Sequence, residues 1–126
     1  MPKIYLIDVT NRDGVQTAKL GLAKLQKTMI NIFLNEMGVY GSEFGFPVTR
    51  HETNYINANM ELVKAGALKP IVLNGWVRAI KDDVKKAVEM TDVENLNLSI
   101  STSEQMTNGK FLGNKTRDDI LLMMTD

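Results

Sequence analysis

Asp8-Val9-Thr10-Asn11-Arg12-Asp13-Gly14-Val15-Gln16 follows the apolar run Ile4-Tyr5-Leu6-Ile7. The run is unbroken rather than alternating, which is the pattern of a parallel strand covered on both faces. It predicts a strand over roughly Lys3 to Asp8 and a loop reaching about Thr17. That loop gathers two carboxylates, a guanidinium and a carboxamide around one glycine. Charged clusters at the C-terminal end of a buried strand are where α/β proteins place their chemistry. A carboxylate there can hold a divalent cation, and an adjacent Arg can hold an anionic substrate or a developing oxyanion. The competing reading is an Asx-type turn carrying a surface ion pair between Arg12 and Asp13.

Outward from that loop the chain repeats one pattern. A helix is predicted over Lys19 to Met37, with Leu22, Leu25, Met29, Phe33 and Met37 on its buried face and Lys24, Lys27, Asn31 and Asn35 largely off it. Gly38 closes it as a C-terminal cap. A second strand is expected near Tyr40 to Phe46, ending at Pro47. Glu43 lies inside it, and a carboxylate in an apolar strand is costly unless paired. It should therefore face a cation, a metal or a substrate, unless the strand edge is solvated. His51, the single histidine, is read as a polar-loop residue whose titration range is the main argument for a role. A second helix is expected from Glu52 to Ala65, with Tyr55, Ile56, Asn59, Leu62 and Val63 on one side and Gly66 at its end.

A third strand is read at Pro70 to Gly75, followed by Trp76 and Arg78 and a helix over Ile80 to Met90 buried through Ile80, Val84, Ala87 and Val88. Arg78 falls just past the strand end. As a mere helix N-terminal residue it would sit at the wrong end for a cation. A fourth strand, Asn95 to Ser101, alternates apolar and polar residues. The hydroxyls Ser101-Thr102-Ser103 close it, as a site or as an ST-turn or helix cap. Asn108 to Gly113 reads as a loop. Thr116 with Asp119 forms a capping box ahead of a last helix.

Right-handed crossovers between four βα units would place every strand's C-terminal end on one face. Asp13, Glu43, Arg78 and Thr102 would converge there. Composition adds only exclusions. The 126 residues suit one domain, and fifteen basic residues balance fifteen acidic ones. A neutral chain without a basic stripe offers no footprint for nucleic acid or an anionic membrane. The absence of cysteine excludes disulfides, thiolate zinc sites and thiol nucleophiles. No apolar run approaches a membrane span, and nothing near Met1 reads as a signal peptide. A cytoplasmic protein is expected.

The motifs together resemble the homocitrate synthase and isopropylmalate synthase family, metal-dependent TIM-barrel enzymes related to the hydroxymethylglutaryl-coenzyme A lyases. Asp8 to Gln16 is similar to that family's D-x-T-x-R-D-G-x-Q. Glu43-Phe44-Gly45-Phe46-Pro47 resembles its E-x-G-F-P, and Trp76 to Asp83 its W-C-R-A-x-x-x-D. Ser101-Thr102-Ser103 with Lys110 and Gly113 resembles its T-S and K-x-x-G. The resemblance implies the N-terminal half, four βα units, of a TIM (β/α)8 barrel over residues 1–126.

It also implies roles. Asp13 would ligate a divalent metal (Mg, Mn or Zn). Arg12 would contact the 2-oxo acid and the oxyanion formed on its keto group. Gln16 and Glu43 would orient substrate and bound water, Glu43 with a catalytic part. Arg78 would pair with a substrate carboxylate and Thr102 would hydrogen-bond it. The reaction would be a Claisen-type condensation of acetyl-CoA with a 2-oxo acid, homocitrate synthase-like as in nitrogen fixation, with Re-face citrate synthase the alternative. Two departures stand out: the family's two metal-binding histidines belong to a late strand that this sequence lacks, and Val15 stands where the family has Glu or another residue. A full barrel takes roughly 250 residues. The sequence therefore predicts a shortened piece or one subunit of a split enzyme, inactive alone and completed by a C-terminal half-barrel or by homo-oligomerisation. A non-catalytic half-barrel assembly module is the reading from another class.

Overall fold

The structure, a computed structural model, describes residues 2–125. Strands β1 (Ile7–Asp8), β2 (Gly41–Gly45), β3 (Val72–Arg78) and β4 (Asn95–Ser99) alternate with helices α1 (Lys24–Glu36), α2 (Arg50–Lys64) and α3 (Lys81–Met90). Two shorter helices, α4 (Glu104–Phe111) and α5 (Arg117–Leu122), close the chain. The sheet runs β1-β2-β3-β4 and every neighbouring pair is parallel. Spatial order equal to chain order, with no reversal, is the progression of a (β/α) barrel wall and not of a doubly wound sheet with its switch point. All four strand C-termini therefore share one rim.

The core lies between the sheet and its helices. Phe44, Tyr55, Ile56, Met60, Leu68, Ile71 and Leu73 form it, with Ile32 and Leu34 packed alongside. A Cβ on Gly45 would lie 2.9 Å from the Glu52 carboxylate and 3.4 Å from Ile56. Glycine there lets α2 approach the strand. Gly38 and Gly66 stand past the ends of α1 and α2 at φ 75° and 80°, the left-handed cap conformation that glycine adopts at least cost.

Several elements differ from the sequence reading. β1 is confined to Ile7–Asp8, and Ile4 and Leu6 are 81% and 68% exposed. β1 is a sheet edge with β2 on one side only, so its apolar run lacks the cover that its pattern calls for. The α1 face is also not the one expected. Leu25 and Phe33 are 71% and 53% exposed, Met29 and Met37 likewise face out, and Lys27 and Asn31 are buried instead. The polar pair can face inward because it is fully engaged there: Lys27 Nζ lies 2.7 Å from Glu52 Oε2, and both ends of the Asn31 carboxamide are hydrogen-bonded.

α2 starts at Arg50, so His51 is an exposed residue of its first turn rather than of a loop. β3 extends to Arg78, its last residue, and takes in Trp76. Val88 is exposed on α3, while Asp83 and Ala87 are its buried residues. β4 ends at Ser99. The segment read as a loop contains the second half of α4, whose start is capped by Ser103 Oγ accepting from the Met106 amide. The capping box of α5 forms as expected: Thr116 Oγ1 accepts from the Asp119 amide and Asp119 Oδ2 accepts from the Thr116 amide.

Candidate active site at the strand C-terminal rim

The loop after β1 is folded by its own side chains. Asp8 accepts hydrogen bonds from the Thr10 amide and the Thr10 hydroxyl, each 2.9 Å. The amides of Arg12, Asp13 and Gly14 all converge on the Val9 carbonyl. A short 3-10 turn, Gly14–Gln16, follows. This tight turn lifts Arg12 over the sheet edge onto Trp76, the guanidinium carbon lying 3.5 Å from the ring centroid. Trp76 is braced from behind by Phe46, with ring centroids 5.8 Å apart. Stacked this way, an Arg keeps its in-plane N–H groups available while its flat face is dry.

Arg12, Gln16 and Arg78 line one cavity of about 410 Å³, floored by Trp76 and Phe46. Of the four residues expected to converge, Asp13, Glu43, Arg78 and Thr102, only Arg78 lines this cavity; Arg12 and Gln16 come from the loop after β1. Arg12 donates through one terminal nitrogen to Asp13 Oδ1 at 2.7 Å, and Asp13 itself stands out into solvent. Arg78 is held from the side by Asp83, Nε to Oδ2 at 2.6 Å and a terminal nitrogen to Oδ1 at 2.8 Å. This bidentate pair holds the buried Asp83 carboxyl well below its ordinary range and raises Arg78 further above its own. Each guanidinium carries five N–H donors, so both keep donors for a ligand.

Glu43 and Thr102 stand elsewhere. Glu43 Oε1 accepts from Asn97 Nδ2 at 2.7 Å across the inner face of the sheet, so its partner is a carboxamide. Thr102 lines a second polar cavity, about 500 Å³, with Ser103 and Thr107.

The sequence reading missed Lys27 and Glu52, which form one wall of the first cavity. Lys27 is 5% exposed, bound to Glu52 and set over the Tyr55 ring at 4.3 Å. Burial pushes the Tyr55 hydroxyl well above its usual range, a shift that the Asn31 hydrogen bond only partly offsets. Tyr55 is thus a neutral partner for the cation. Two charges separated by a helix and a strand leave no local signature, so no motif could have found this pair. Asp83 did stand in a quoted motif, and its spacing from Arg78 was the available signal.

For a divalent metal the described residues do not suffice. Among them no group of three or more His, Asp or Glu side chains is close enough to hold an ion. Asp13 offers one carboxylate, already paired with Arg12. Calcium- and magnesium-type ions take six or more oxygen donors, waters included, and zinc about four. Any such site needs further ligands from outside these residues. Among the described residues no helix is long and apolar enough to cross a membrane.

Comparison with known proteins agrees with the fold. The model of a family described as HMGL-like matches residues 3–126. Over 126 residues the chain is 60% identical to citrate (Re)-synthase of Dehalococcoides mccartyi (strain CBDB1), covering 99% of this chain and 30% of that protein. It is 36% identical over 120 residues to homocitrate synthase AksA of Methanocaldococcus jannaschii, covering 95% and 28%. It is 34% identical over 123 residues to 2-isopropylmalate synthase 2 of Caldanaerobacter subterraneus subsp. tengcongensis, covering 98% and 30%. The chain thus spans only about 30% of the length of these curated relatives.

Proposed function

Because the chain belongs to the HMGL-like family, we propose that it forms the 2-oxo-acid end of an enzyme condensing acetyl-CoA with a 2-oxo acid, active when joined to a C-terminal half-barrel. The observation that carries the reading is the pair of guanidiniums, Arg12 and Arg78, facing one cavity. Two cations with free donors suit an anion bearing two carboxylates and a keto oxygen. Lys27 does not add a third free charge, since Glu52 neutralises it.

In this reading Arg12 binds the keto end of the 2-oxo acid and stabilises the oxygen as it takes up negative charge. Its stack on Trp76 fixes its plane. Arg78 pairs with a substrate carboxylate, and Asp83 sets its angle. Gln16 offers an amide from the third side. Acetyl-CoA loses a methyl proton, its carbon bonds to the keto carbon, and the keto oxygen becomes a hydroxyl. Water then cleaves the thioester, releasing CoA and the acid. A divalent metal would polarise the keto group when bound, with Asp13 one of its ligands and the others supplied by the second half.

Sixty per cent identity to a citrate (Re)-synthase over nearly the whole chain favours oxaloacetate as the 2-oxo acid. The 2-oxoglutarate of a homocitrate synthase is the second reading, supported by the lower identity to that relative. The need for a second half is supported by the uncovered β1 edge and by the exposed Leu25, Met29, Phe33 and Met37 of α1, too much contiguous apolar surface to leave wet.

The test is a substrate panel. The chain is combined with a C-terminal half from a citrate (Re)-synthase, and free CoA is followed with oxaloacetate, 2-oxoglutarate and 2-oxoisovalerate. CoA release that needs both halves and is fastest with oxaloacetate supports the reading. A chain that pairs with itself or with the half-barrel yet releases no CoA with any 2-oxo acid refutes it and leaves an assembly module.

A further inference from the structure

Beneath the rim runs a chain of carboxamides. Asn11 Nδ2 donates to the Lys27 carbonyl and to Asn31 Oδ1, both at 2.8 Å. Asn31 Nδ2 donates to Asn59 Oδ1 and to the Tyr55 hydroxyl, both at 3.0 Å. Asn59 Nδ2 donates to the Tyr55 carbonyl at 2.9 Å and to Thr28 Oγ1 at 3.0 Å. Ser42 Oγ of β2 donates to Asn31 Oδ1 at 3.2 Å. Asn11, Asn31, Asn59 and Ser42 are completely buried.

The ladder has one direction only. A backbone carbonyl stands at each end, and a carbonyl can only accept. The Lys27 carbonyl forces the Asn11 amide nitrogen toward it, which forces Asn31 to present oxygen to Asn11 and nitrogen to Asn59. The Tyr55 carbonyl forces the same orientation from the other end. Reversing any one carboxamide would set oxygen against oxygen among completely buried groups, where such a contact is costly.

We infer that Asn11 is the positioning residue of the rim: its carboxamide ties the loop carrying Arg12 and Asp13 to α1, on the Lys27 carbonyl and Asn31 Oδ1, while Asn59 braces α2 against α1 and carries no part of the loop's anchor. The inference rests on the assignment of Arg12 and Asp13 to the site. Asn11 is the only residue of that loop whose side chain enters the ladder, and it immediately precedes both. Its role here is the geometry of the loop. Without Asn11 no acceptor is orphaned, since the Lys27 carbonyl lies within α1 and keeps its helical donor, while Asn31 Oδ1 keeps Ser42. Asn11 Oδ1 has no partner of its own among the described residues, so an apolar side chain there also removes a buried unsatisfied oxygen.

Asn11→Leu tests the idea in the protein assembled with its C-terminal half, with Asn59→Ala as the contrast. Hydrogen exchange by mass spectrometry and thermal melting are read on both. Asn11→Leu is expected to raise exchange of the 9–16 segment about tenfold and leave α1 and α2 unchanged. Asn59→Ala should lower Tm through the cavity it leaves while the 9–16 segment stays protected. In kinetics, Asn11→Leu should raise KM for the 2-oxo acid at least fivefold and leave KM for acetyl-CoA within twofold. The inference is overturned if the loop's exchange is unchanged in Asn11→Leu, or if Asn59→Ala loosens the loop as much as Asn11→Leu does. If wild type condenses nothing, the synthase reading falls, and the exchange pattern still decides the positioning role.

Discussion

Replacing Lys27 with methionine should cost far more stability than its place on a helix suggests. Lys27 Nζ lies 2.7 Å from Glu52 Oε2, and only 6% and 19% of the two side chains are exposed. Methionine keeps the stem's packing and removes the charge. The Glu52 carboxylate is then left mostly dry, and breaking one partner of a buried pair costs about 3–5 kcal/mol. Partial water access to Glu52 puts the value near the lower end, about 3 kcal/mol, including loss of the cation over Tyr55. For a domain of this size, at roughly 4 °C per kcal/mol, that is about a 12 °C fall in Tm. Lys27→Met with Glu52→Gln should recover about 2 kcal/mol of it, because the stranded charge is gone. Urea titration followed by the fluorescence of Trp76, the single tryptophan, gives the four corners of the cycle. A loss below about 1 kcal/mol in Lys27→Met, or additive effects in the double variant, would show that the pair is solvated and the argument wrong.

Three further outcomes follow from the rim. Arg12→Ala should lower kcat for condensation about 10²- to 10³-fold, the usual cost of a lost oxyanion donor, with a smaller change in the melting curve; equal activity in the variant would remove Arg12 from the site. Asp83 is held below its ordinary pKa of 3.8 by Arg78, so its stabilising share is full above about pH 4 and fades as pH falls through the depressed value. Acid unfolding of Asp83→Asn, followed by Trp76 fluorescence, should therefore be less steep below pH 4 than that of wild type. Titration of the chain alone with Mg²⁺ or Mn²⁺, read by calorimetry, should show binding no tighter than about millimolar, as a single carboxylate allows; micromolar stoichiometric binding would reveal ligands that the described residues lack.

The βα repeat and the parallel order could be read in advance because they depend on local properties. Unbroken apolar runs, glycine caps after α1 and α2, and a capping box before α5 each act within a few residues. The motifs carrying Arg12, Gln16 and Arg78 were equally local and put them near the rim, although of the four residues expected to converge, Asp13, Glu43, Arg78 and Thr102, only Arg78 lines the cavity. The sequence alone determined that much: the kind of barrel wall, the rim, and which charged residues stand near it. Only the tertiary structure decided which face of α1 is buried. Periodicity counts apolar side chains, and by that count Leu25, Met29, Phe33 and Met37 should lie inside. Lys27 and Asn31 lie there instead, because Glu52, Tyr55, Ser42 and Asn59, distant along the chain, satisfy every charge and amide they carry. Burial of a polar group depends on partners gathered by folding, and no window of sequence contains them.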